Sequence, residues 1–190
     1  MAKRFKTLSD DEILRVIQGV EDYGCDPDRR PMLTGLYVLM ANTGLRVSEA
    51  VALRWRSVDF ERKELTVRTL KQQPKNGKKP ETTEDTLPLD DKTIAALLTW
   101  KLPDAQPADL IFPISRRVAY NIFQRLLAYA CIRPVKLHAL RHSAVTRWLE
   151  TTQDLTFAQA MARHKSVAST AQYVHCRRMK EQFAVVKPIG

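Results

Sequence analysis

Residues 64–89 read ELTVRTLKQQPKNGKKPETTEDTLPL, the one stretch of the chain that departs from a helical period. Residues 64–70 alternate apolar and polar side chains and are rich in types that suit a pleated surface. Residues 71–84 are polar and broken by Pro74, Asn76-Gly77 and Pro80, and residues 85–89 read as a second short strand. The pattern predicts a β-hairpin with a long basic tip.

The flanks read as helix. Ser9-Asp10-Asp11-Glu12 has the form of a capping box. Ile13, Leu14, Ile17 and Val20 then recur on one helical face, until Gly24 and a polar run to Arg30 interrupt it. Pro31 suits the first turn of a second helix carrying Leu33, Leu36, Tyr37 and Met40, and Gly44 is placed to cap its end. A short helix is expected over residues 48–53. Beyond the hairpin, Asp90 or Asp91 is set to cap a helix bearing Ile94, Leu97 and Leu98. Leu110-Ile111-Phe112 is a short apolar link, and residues 118–130 are amphipathic through Ile122, Phe123, Leu126 and Leu127, with Pro134 ending the element. Residues 138–150 form a helix buried through Leu140, Ala144, Val145, Trp148 and Leu149. Thr156 is the expected cap of another helix that ends near Arg163, and Ser166 of a short one carrying Tyr173. Tyr23, Tyr37, Tyr120 and Tyr129 read as core. With no repeat and no internal linker, the expected fold class is mostly α with a small antiparallel β-sheet (α+β) in one domain.

Composition narrows the partners. The 190 residues include 31 Lys and Arg against 21 Asp and Glu, a net charge of +10. That excess suits a polyanion, with nucleic acid first; a merely soluble basic protein is the plainer reading. Apolar residues make up 44% of the chain, enough for a real core. Cys25, Cys131 and Cys176 form no CxxC and no metal pattern, which fits a reduced, cytoplasmic setting. MAKRFK is basic, but TLSDDE follows instead of an apolar run, so no signal peptide and no membrane role is expected.

The chemistry sits in three segments: TGLRVSEA around Arg46, LHALRHS around His138 and Arg141, and ARHKSVASTAQYVH ending at Tyr173 and His175. Arginines grip phosphate oxygens with paired donors. Tyrosine can act as a covalent nucleophile, and lysine or histidine can move protons. Each residue has a plainer reading. Arg46 alone fits a surface arginine paired with Glu49. His138 and His142 stand at metal-pair spacing, though no third ligand lies at a suitable distance in sequence. Lys71 fits a charged hairpin tip, and Tyr173 alone a half-buried structural tyrosine.

Taken together and in order, these segments resemble the tyrosine recombinases of the phage integrase family, from about Thr7 to Tyr173. The resemblance implies that family's catalytic-domain architecture and its DNA breaking and rejoining through a 3′-phosphotyrosyl link. It implies Tyr173 as nucleophile and Arg46 and Arg141 as phosphate clamps. His138 would be the general acid/base, His164 a phosphate hydrogen-bond donor, and Glu49 a support for Arg46. A catalytic lysine belongs on the hairpin, and Lys71 is the expected one, with Lys75, Lys78 and Lys79 close by. Those three and Arg163 are expected to contact DNA. No metal, ATP or other cofactor is implied. One departure stands out: the family usually has Gly before the second His, in L-G-H, and here Ala162-Arg163-His164 occurs. Glycine there often serves a helix C-terminus with positive φ, so either arginine takes that conformation at a cost or the turn is built differently.

The expected organisation is a catalytic domain over residues 1–178 without an N-terminal DNA-clamping domain, then a tail over residues 179–190. In length it resembles the small invertases of fimbrial phase switches; a minimal plasmid resolvase or a truncated integrase fits equally. The tail carries Met179, Phe183, Val185, Val186 and Ile189, and in the family such tails dock on a neighbouring protomer. The partners implied are double-stranded DNA, a homotetramer on paired sites, and an accessory DNA-bending or directionality protein, with the protein on the nucleoid. Integration, excision, inversion and resolution all remain open. The alternatives are a type IB topoisomerase-like nicking-closing enzyme and a DNA-binding accessory protein without catalysis. A generic basic metabolic enzyme fits poorly, for there is no nucleotide loop and no metal motif.

Overall fold

Helix α2 (Arg30–Thr43) is the hub, in a computed structural model that describes residues 7–22, 26–70 and 82–164. Leu33, Leu36, Tyr37, Leu39 and Met40 of α2 are all buried. At about 1.5–3 kcal/mol for each such side chain fully buried, this helix alone accounts for much of the core. Around it pack α1 (Asp10–Asp22), α4 (Asp91–Trp100) and α6 (Ala139–Thr152). Helix α5 (Arg116–Tyr129) lies against α1. Tyr37 reaches across to donate its hydroxyl to the Ala119 carbonyl at 3.0 Å.

Local signals set most boundaries. The capping box forms at α1: Glu12 N–H donates to Ser9 Oγ at 3.1 Å, and Ser9 N–H to Glu12 Oε2 at 2.8 Å. A 3-10 turn, Pro27–Arg29, feeds α2, with Pro31 in its first turn. Asp90, not Asp91, caps α4 by accepting from Thr93 N–H at 2.9 Å. Helix α7 (Leu155–Ala162) is capped by Asp154, which accepts from Thr156 and Phe157 N–H. Asp154 displaces the expected Thr156 because its carboxylate reaches two free helix donors at once.

The two strands of the hairpin pair, the second starting earlier than expected. β2 (Glu64–Leu70) has the expected bounds, and β3 (Thr82–Pro88) begins three residues before the expected Asp85. A two-residue strand, β1 (Val58–Asp59), completes an antiparallel sheet of order β1-β2-β3; two residues are too few to show a period. In the register, Leu65 faces Leu87 and Val67 faces Asp85. Directly opposed residues share a face. Leu65, Val67 and Leu87 are buried on it, and Asp85 is therefore a carboxylate on the core face.

Some expected core residues lie outside it. Leu14 is 65% exposed, while Val16 and Gly19 join Ile13 and Val20 on the buried side of α1. Leu98, Tyr120 and Tyr129 are also exposed, Tyr129 at the edge of the α1–α5 contact beside Gly19. Tyr23 and the Ser166–Tyr173 helix lie outside the described residues.

Candidate active site

Gly44 ends α2 in the left-handed region (φ 61°), its N–H bonded to the Met40 carbonyl. A Cβ there would meet Trp148 Cη2 at 2.9 Å, so α6 crosses too close for any side chain at this turn. The same approach brings Arg141 of α6 against the end of α2. Its guanidinium donates from Nη1 to the Gly44 carbonyl at 2.6 Å and from Nη2 to the Ala162 carbonyl. Both acceptors sit at helix C-termini, where the macrodipole favours a cation. This is how a side chain only 1% exposed keeps its charge.

The chain leaves Gly44 into α3 (Val47–Ala50), with Arg46 extended at its N-cap. Arg46 N–H donates to Glu49 Oε2 at 2.8 Å, and Arg46 Nη1 to Glu49 Oε1 at 2.8 Å. The plain reading of the sequence, an Arg46–Glu49 pair, is thus present, yet it leaves 40% of the Arg46 side chain exposed above a buried carboxylate.

The histidines gather on the other side. His138 immediately precedes α6, and its ring meets that of His142 edge-on, 4.6 Å between centroids. Among the described residues no group of three His, Cys, Asp or Glu is placed to hold a metal. His164 follows the turn that ends α7, its N–H bonded to the Gln159 carbonyl. Burial lowers the pKa of His138, and the Arg141 and Arg46 cations lower it further against a smaller opposing effect of Glu49. Burial, then His138, Arg141 and His164, take His142 down to about 4. Burial, then Arg141, Arg46, His138 and Arg163, take His164 to about 4. All three rings are therefore neutral near pH 7, and each offers one donor and one acceptor to an anion or a hydroxyl.

Arg163 adopts φ 52°, ψ 41° at the end of α7, the left-handed cap conformation. The turn is thus built as it would be with glycine, and arginine bears the steric cost. Expected among the DNA-contacting residues, it turns inward. Its side chain is 5% exposed, Nη2 donates to Glu49 Oε2 at 2.5 Å, and Nε lies 3.8 Å from Asp85 Oδ2. The reason is the buried Glu49 carboxylate, the nearest strong acceptor. Asp85 was not anticipated as a partner; its place opposite Val67 was the available signal, hidden by the late start assigned to its strand. His142 was read only as one of a metal pair.

The structure therefore brings together Arg46, Glu49, His138, Arg141, Arg163 and His164. Lys71, Lys75, Lys78, Lys79 and Tyr173, with the tail over 179–190, lie outside the described residues.

Two arginines and three histidines, gathered where three helix ends meet, are a donor set whose chemistry suits a phosphoryl group. Residues 6–179 match the phage integrase family, and the chain belongs to that family. It is 30% identical over 178 residues to the tyrosine recombinase XerC of Xanthomonas campestris pv. campestris (strain B100), covering 90% of this chain and 51% of that protein. The chain thus spans about half the length of the curated relative it matches. Its fold is that of XerA recombinase, with a TM-score of 0.72 at 24% identity over 99% of this chain and 68% of the other. It is also that of the XerH site-specific recombinase bound to palindromic difH substrate in a post-cleavage complex. There the TM-score is 0.71 at 19% identity, over 95% of this chain and 53% of the other. No helix among the described residues is long and apolar enough to cross a membrane.

Proposed function

We propose that this chain is the catalytic part of a site-specific DNA recombinase. The observation that carries the reading is the joint placement of Arg46, His138, Arg141 and His164, from segments far apart in sequence. Family membership and the DNA-bound state of a structural neighbour support it.

In this reading the Tyr173 oxygen attacks the scissile phosphorus and passes its proton to neutral His138. The 5′ oxygen leaves with a proton from Lys71. Arg46 and Arg141 stabilise the charge that builds on the phosphoryl oxygens, and His164 donates to one of them. A freed 5′-hydroxyl of a partner duplex then attacks the phosphotyrosine. The link keeps the bond energy, so no ATP is consumed. The partners are those the family resemblance implies: double-stranded DNA, three further copies on paired sites, and an accessory DNA-bending or directionality protein. The apolar residues of 179–190 would dock one copy on the next.

The test uses a nicked duplex whose sequence is selected from a random pool by the wild-type chain. The wild type should give an SDS-stable protein–DNA adduct, and Tyr173→Phe none. An adduct from Tyr173→Phe moves the nucleophile elsewhere. Binding with no adduct from the wild type makes the chain a DNA-binding accessory protein. Relaxation of supercoils without exchange between paired sites makes it a nicking-closing enzyme.

A further inference from the structure

Arg163 combines three unfavourable features in one residue. Its backbone is left-handed without being glycine. Its guanidinium is buried, and its Nε and Nη1 make no hydrogen bond among the described residues. Such features persist only where the surroundings recover the cost. The recovery here is at Glu49. One carboxylate takes three donors: Arg46 Nη1 on Oε1, and Arg46 N–H and Arg163 Nη2 on Oε2. Arg46 and Glu49 alone would be a neutral pair. With Arg163 added, the trio carries one net positive charge, which Asp85 beside Arg163 balances, and the cation still partly open to solvent is Arg46. Arg163 Nε also faces Asp85 on β3, the carboxylate that the strand register puts on the core face.

We propose that Arg163 is a positioning residue for Arg46: it shares Glu49, so that Arg46 stays anchored while the Glu49 charge is divided between two cations, and it ties the β2–β3 hairpin to that anchor through Asp85. This rests on the recombinase reading above. Arg163 acts through Glu49, onto which its Nη2 is turned. Where glycine ends the corresponding turn, as the family pattern has it, Glu49 would face Arg46 alone.

The test compares the full chain with Arg163→Gly, Arg163→Lys, Glu49→Gln and the double variant Arg163→Gly/Glu49→Gln on the selected nicked duplex. Arg163→Gly should bind the duplex within about twofold of wild type and form adduct roughly 10- to 100-fold more slowly in single turnover. Adding Glu49→Gln should recover about tenfold of that loss, because it removes the charge that Arg163 no longer offsets. Arg163→Lys, which keeps the charge, should fall between. An unchanged adduct rate in Arg163→Gly overturns the proposal. So does a loss of affinity as large as the loss of rate, which would put Arg163 on the DNA, or a failure of Glu49→Gln to recover activity. Should Arg163→Gly not fold, a wild-type rate in Arg163→Lys/Glu49→Gln alongside a wild-type rate in Arg163→Met overturns it as well. A urea double-mutant cycle on residues 49 and 163 needs no DNA and separates this inference from the recombinase reading. Coupling of less than about twofold in the unfolding constant removes the clamp, whereas no adduct from the wild type removes the recombinase reading itself.

Discussion

Arg141 donates to the carbonyl of Gly44 at 2.6 Å, across 97 residues of sequence. One contact joins the two segments that carry the arginines, since Arg46 lies two residues beyond Gly44. With the second donor on Ala162, two residues before His164, a single guanidinium sets the spacing of three parts of the site. In the proposed function, folding and phosphate binding would thus depend on the same side chain.

Arg141→Met should therefore lose stability as well as activity. Each buried carbonyl left without a donor costs about 1–3 kcal/mol. Urea unfolding should show a lowered midpoint with an unchanged slope. A midpoint equal to wild type would mean that the guanidinium is not a structural tie.

Gly44→Ala should cost about 1–2 kcal/mol for the left-handed backbone alone, with more from the contact of its Cβ with Trp148. Repeating the substitution in a Trp148→Leu background should recover the steric share and leave the backbone share. Calorimetric melting of the four proteins separates the two. Equal losses in both backgrounds would show that Trp148 yields freely.

The histidines make stability depend on acid. His142 and His164 have folded-state values of about 4, below the ordinary 6.5. Between those values the unfolded chain binds protons that the folded chain refuses. Their contribution is full above pH 6.5, falls as the pH drops toward 4, and levels off below. A urea midpoint measured across this range should decline, and His164→Gln should flatten the decline. A flat profile in the wild type would contradict the neutral histidines. An anionic phosphate in the site opposes Arg46 and Arg141 and should raise the His138 value, which NMR titration with a short duplex would read.

Lys71→Ala should slow cleavage of an ordinary phosphodiester by about 10²–10⁴-fold if it protonates the leaving oxygen. A 5′-phosphorothiolate, whose leaving group needs no proton, should restore the rate. Equal loss on both substrates would move the role to another lysine, with Lys75 next.

Much of the fold was readable because its signals are local. The Ser9–Glu12 capping box, Gly44 and the alternation of residues 64–70 each act within a few residues, and each formed as expected. The errors have local causes too. Two acceptors competed for one helix start, and Asp154 reached more donors than Thr156. Strand β1 is too short for a period to show, and the start of β3 carries threonines that a turn would also accept.

The sequence by itself determined the helices, the hairpin, the excess of positive charge and the kit of arginines and histidines suited to a phosphate. The tertiary structure alone decided how each is used. It enclosed Arg141 between two helix ends, left Arg46 partly open, made three histidines neutral and turned Arg163 away from the surface onto Glu49. Tyr120 and Tyr129 it left outside the core. The physical reason is range. Caps and periodicity are settled by neighbours on the same helix or strand, whereas desolvation and charge pairing depend on whatever lies next in space. For Arg163 and Glu49 that neighbour is 114 residues away in the chain.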